Sequence, residues 1–127
     1  MNPQTCRRLL LYGFSCVTWQ SNLNGNWDIF SRFSNIETWS DTIRVTTNVA
    51  SDINPSVAKG NAYWCVWQND GAGNWDIYAA YGDTLNGWST PYQISTDPAE
   101  DEYPSVYVSS DTVWVVWQKT VAESVNI

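Results

Sequence analysis

The chain has 127 residues, of which 15% are charged, another 15% are aromatic and nine are tryptophan; this is one domain with a large apolar surface to bury, neither two domains nor a disordered tail. Six Lys and Arg stand against thirteen Asp and Glu, a net charge of −7, which argues against a nucleic-acid backbone or an anionic membrane surface as partner. The absence of histidine removes Ser–His and Cys–His catalysis, the usual zinc ligand sets and any imidazole switch.

The N-terminal segment from Arg7 to Cys16 has the charged start and apolar stretch of a short export signal, even a lipoprotein-like cysteine. Its apolar part is short, and Phe14 spoils the small-residue site that a peptidase needs. The repeat described next offers another role, because Leu9 falls opposite Val57 and Val17 opposite Cys65, as in the first two strands of a first unit. The three cysteines, Cys6, Cys16 and Cys65, include no CxxC pair and read as buried thiols. No apolar run approaches the ~18 residues of a membrane helix, so membrane insertion is not expected.

From Trp19 onward the sequence repeats. Trp19-Gln20, Trp67-Gln68 and Trp117-Gln118 recur at spacings of 48 and 50, and Asn26-Trp27-Asp28-Ile29 returns as Asn74-Trp75-Asp76-Ile77 after 48. Trp39-Ser40 returns as Trp88-Ser89, and Pro55-Ser56-Val57 as Pro104-Ser105-Val106, both after 49. Residues 19–57 and 67–106 share fifteen identities in thirty-nine aligned pairs. A period near ~49 residues is the mark of propeller blades and related arrays.

Within a period the apolar residues alternate and turn residues punctuate them, which predicts strands throughout. In the second unit the expected strands are 55–59, 62–68, 75–81 and 88–95. Gly60-Asn61 is suited to a tight hairpin turn with positive φ. The second strand is apolar on both faces, with Tyr63, Cys65 and Trp67 on one and Trp64 and Val66 on the other, and so must be covered twice. The fourth carries Pro91, which suits an edge strand.

Four strands per unit, the inner one covered on both faces and the outer one half exposed, describe an all-β chain built as a partial β-propeller of antiparallel meander blades. The expected organisation is residues 9–46 as a first blade with a worn first strand, 52–96 as a second, 101–118 as half of a third, and 119–127 as a tail. Two and a half blades do not close a ring of four to eight. The chain is then the remainder of a longer propeller, a homo-oligomer that completes a ring, or an open stack with exposed edges.

The sequence Asp-x-x-Pro-Ser-Val, an apolar strand ending Val-Trp-Gln, then Gly-Asn-Trp-Asp-Ile-Tyr and Gly-Trp-Ser-x-Pro, resembles the TolB-like and sialidase-like propeller repeats of bacterial and archaeal envelope and secreted proteins. The resemblance spans about residues 9–118. It implies an extracellular or envelope location and a repeat that serves many roles. The sialidase Asp-box is only approached by Ser21 to Trp27, which is one residue short and has Asn for Asp. A sialidase would imply an arginine cluster and a Tyr–Glu pair. Only Arg32 and Arg44 lie inside the blades, and their equivalents are Ala80 and Gln93.

The repeated carboxylates Asp28 and Asp76 are the tempting acids, but one active site needs a unique acid and base, so they are expected to cap turn N–H groups. Asp52 and Asp101, three residues before a proline, are expected in blade-to-blade turns. The loop Asp70 to Asp76 spaces oxygens loosely as calcium loops do, yet lacks the closing Glu; no metal and no cofactor are expected. Asp70, Asp76, Asp97, Glu100, Asp101 and Glu102 should crowd one negative rim. Trp64, Trp67, Trp114 and Trp117 are expected between blades. Trp27, Trp75, Trp39 and Trp88 begin strands near loops, where packing competes with stacking on a sugar face. Together with Asp70 and Asp76 they are the candidate ligand-binding residues. The function expected is a non-catalytic scaffold that contacts a protein or carbohydrate ligand, against a fragment of a glycoside-processing enzyme or a self-associating lectin.

Overall fold

The computed structural model describes residues 15–35 and 37–121. The expected strand around Leu9, Cys6 and most of the signal-like segment lie outside them. The described chain is all-β, with ten strands in three antiparallel sheets and no helix. β1 (Ser15–Ser21), β2 (Asp28–Ser34) and β3 (Ile43–Arg44) form the first sheet, in that order. The second holds β4 (Asp52–Lys59), β5 (Tyr63–Asn69), β6 (Asp76–Asp83) and β7 (Gly87–Trp88), with β8 (Tyr92–Gln93) also paired to β6. The third is the hairpin β9 (Glu100–Ser109) and β10 (Thr112–Thr120).

The sheets pack against one another in chain order, and the two-faced β5 shows how. Cys65 and Trp67 point toward the first sheet, where they join Ile29, Val45 and Ala80 in one core, with Val57, Tyr78 and Trp88 at its margin. Val66 points the other way and meets Ala79 and Val106, flanked by Ala58, Trp64, Ile94, Val113 and Val115. A strand apolar on both faces thus separates two cores, each offering the burial of apolar area that stabilises a layered β fold.

Four expectations need correction. The fourth strand of the second unit is not continuous but splits into β7 and β8, and the first unit breaks at the same place although Thr42 stands there instead of Pro91; in both, a serine hydroxyl, Ser40 or Ser89, takes the N–H of the facing strand at the break. Gly60 does not adopt positive φ. It is needed because a Cβ there would lie 2.8 Å from Val108 Cγ1 of the third sheet. The residues with left-handed φ are instead Asn54 (57°) and Tyr103 (55°), each just before the proline of its Asp-x-x-Pro sequence, together with Ser110 (54°) in the last hairpin. At Asn54 the register of β4 on β5 shifts, so the first strand begins at Asp52 and passes through a bulge. β10 also runs on to Thr120, taking Lys119 and Thr120 out of the expected tail.

Candidate functional site

The repeated motifs turn out to be the parts of a recurring joint between successive units. At the first joint, Asp52 N–H donates to the Trp27 carbonyl at 2.9 Å; at the second, Asp101 N–H donates to the Trp75 carbonyl at 2.9 Å. The side-chain amide of Asn26 donates to the carbonyls of Asn48 and Ala50, and that of Asn74 to those of Asp97 and Ala99. The left-handed residue before each proline turns its N–H back toward the preceding unit: Asn54 N donates to Gln20 Oε1 and Tyr103 N to Gln68 Oε1, each at 2.8 Å. Trp-Gln therefore works in two directions. The glutamine receives the next unit, while the tryptophan stays within its own: Trp67 Nε1 donates to Asp52 Oδ1 at 2.9 Å and Trp117 Nε1 to Asp101 Oδ1 at 3.1 Å.

Asp52 and Asp101 are both fully buried, so they are internal acceptors rather than turn residues. Burial pushes the Asp52 carboxyl above its ordinary range, and hydrogen bonds from Asn69, Thr46, Asn48 and Trp67 pull against that rise. Asp28 and Asp76 are likewise buried, and their carboxylates bond side chains, not turn N–H groups. Asp28 pairs with Arg44 and accepts from Thr46 Oγ1 at 3.1 Å. Asp76 accepts from Gln93 Nε2 at 3.1 Å and from Asn74 Nδ2 at 3.3 Å. Burial raises the Asp76 pKa, helped by the charge of Asp101. Arg32 is engaged with Thr42 through its Nε.

The expected negative rim is internal only in part, since Asp70, Asp97, Glu100 and Glu102 stay half-buried. Asp76 and Asp101 lie inside the joint, Asp70 accepts the Ser51 N–H, and Asp97 is bound by Lys119 Nζ at 2.6 Å. That bond holds the Asp97 carboxyl below the usual carboxylate range. Among the described residues, no three His, Cys, Asp or Glu side chains are grouped so as to hold a metal ion. The described thiols are both free, and burial raises Cys16 to about 12 and Cys65 further still, which keeps them protonated and unreactive.

The tryptophans separate. Trp88 lies between units: its Nε1 donates to Ser31 Oγ at 2.7 Å, and its ring stacks on Phe33 with centroids 5.4 Å apart. Trp39 is half-buried and bridged to Ser34. Trp75 is half-buried, and Trp27 is 37% exposed, the most open of the four candidates. Of the four expected between units, Trp67 is buried and Trp64 and Trp117 are half-buried, but Trp114 is 50% exposed. Its face of the third sheet has no further sheet against it among the described residues.

Sequence reasoning expected a rim but missed the recesses on it. Two shallow cavities open where each inter-unit connector passes the end of the following strand. One, of about 360 Å³, is lined by Asn48, Val49, Ala50, Asn69, Gly71, Ala72 and Tyr78. The other, of about 340 Å³, is lined by Asp97, Pro98, Ala99, Lys119 and Val121. The alignment of the units places Asn48–Ala50 on Asp97–Ala99 and Asn69 on Lys119, so these are one place seen twice. The signal that could have found them is where the connectors vary within an otherwise constant repeat. No protein-family model matches the chain, and no curated protein matches it by sequence.

Proposed function

We propose that this chain is a segment of a β-propeller that serves as a non-catalytic interaction scaffold for proteins or glycans in an envelope or secreted protein. Support for the architecture comes from successive antiparallel sheets joined by the same bonds at each step, which is how a quasi-one-dimensional repeat builds a ring. The envelope or extracellular setting rests on the resemblance of the repeat. The buried carboxylates and the arginines Arg32 and Arg44 are spent on the framework, which favours recognition over acid–base chemistry. The observation that carries the reading is the recurrent rim cavity, with Val49 94% exposed beside it. A surface with one recess per unit and variable lining suits multivalent contact with an extended ligand.

The test is a glycan array and a displayed peptide library screened with the purified chain, followed by NMR titration of any binder. Shifts confined to residues 48–50, 69–72, 97–99 and 119–121 support the proposal. Binders that perturb only other surfaces, or no binder from either screen, overturn it.

A further inference from the structure

The third sheet presents one face that the second sheet does not. Along β9 and β10, Tyr103, Tyr107, Trp114 and Val116 are 50–59% exposed and lie on the side away from the second sheet, while Val106, Val113 and Val115 pack toward it. Tyr107 and Trp114 stack on each other with centroids 6.3 Å apart, a paired aromatic surface left open. The equivalent residues of the second unit are Asn54, Ala58, Trp64 and Val66, and that face is covered: Val66, Ala58 and Trp64 lie in the core shared with Val106 of the third sheet. The polar member of the face is equally telling. Gln20 and Gln68 each accept the N–H of a left-handed residue before proline in the following unit. Gln118 is their counterpart in the repeat; it is exposed, and no side-chain hydrogen bond joins it to another of the described residues.

We infer that the open β9–β10 face is a docking face for one further meander unit of the same Asp-x-x-Pro type, with Gln118 as the acceptor that sets its register. The occupant follows from continuity with the two joints already formed, which present the same face and close it in the same way. Such a unit would lay its Pro-Ser-Val strand over Val116 and Trp114 and turn the N–H before its proline onto Gln118 Oε1. An ordinary extended strand does not do this, since only a left-handed residue at a bulge directs that N–H backward. The inference does not depend on what the rim cavities bind.

The experiment extends the full chain by repeating residues 70–121 after Lys119, which completes the third unit and adds the first two strands of a fourth. A Val116→Cys substitution in both the original and the extended chain reports on the face through the rate of thiol alkylation at that position, followed by mass spectrometry. In the extended chain alkylation slows by at least about tenfold. Adding Gln118→Leu restores much of the rate, whereas Gln118→Glu, which still accepts an N–H, keeps the protection. A folded extended chain that is alkylated as fast as the original overturns the inference. So does protection in the original chain that grows with protein concentration, because a second copy would then be the occupant. Should the extended chain fail to fold, a peptide of residues 99–109 added at millimolar concentration to the original chain decides. Slower alkylation than with a scrambled peptide supports the docking face, and equal rates reject it.

Discussion

The two joints between successive units share their backbone and differ in their polar heart. Both use a buried aspartate whose N–H holds the preceding tryptophan carbonyl and whose Oδ1 takes an indole N–H. At the first joint Asp52 is also served by amides, Asn69 Nδ2 on Oδ1 at 2.7 Å and Asn48 Nδ2 on Oδ2 at 3.0 Å. At the second joint those two positions are Lys119 and Asp97, which bond each other and leave Asp101 Oδ2 buried without a partner. The same fold is thus closed once by a neutral, satisfied network and once by an outer ion pair over an unsatisfied acceptor. The lesson is that backbone geometry carries the repeat while side-chain satisfaction varies from joint to joint.

This contrast can be broken. Asp52→Ala leaves one indole and two amide donors without their buried acceptor and should cost about 3 kcal/mol in urea unfolding. Gly60→Ala drives a methyl into Val108 at the second joint and should cost about 2 kcal/mol, recovered in large part by adding Val108→Ala. Asp101→Ala loses only the Trp117 bond and relieves the unpaired oxygen, so about 1 kcal/mol is expected. Equal losses at Asp52 and Asp101 would refute the contrast.

A transplant sharpens it. Asp97→Asn combined with Lys119→Asn gives Asp101 the amides that Asp52 enjoys; the melting temperature should rise, and Asp101→Ala in that background should become as damaging as Asp52→Ala. The smallest effect is on pH. Asp76 has a raised pKa, so the folded chain holds its proton more tightly than the unfolded chain, and this group weakens the fold as pH climbs from the ordinary carboxylate range through the raised value. Asp97 is depressed by its bond to Lys119, so its contribution is present above the ordinary range and is lost as pH falls through the lowered value. Asp76→Asn should therefore make stability fall less between about pH 4 and 7, measured by urea unfolding at each pH.

The all-β class was legible because alternation has a period of two and glycine, asparagine and proline mark its limits. The double burial of β5 was legible for the same reason, since Trp64 to Trp67 leave no polar face to show to water. The repeat disclosed that Asp52, Asp101 and the Trp-Gln pairs matter, but not what they do. Their partners lie fifteen to thirty-five residues away, and a spacing of that size says nothing about which N–H meets which oxygen. Trp114 illustrates the opposite error: its motif is that of Trp64, yet its exposure depends on whether another sheet covers it.

Local chemistry in the chain determined the strands, the turns that bound them and the recurrence of a joint, because each depends on neighbours a few residues apart. Tertiary packing alone decided that Asn54 and Tyr103 take left-handed φ, that Gly60 yields to Val108, and that Asp101 is left with a bare oxygen. These outcomes come from how closely one sheet approaches the next, a distance written in no single segment.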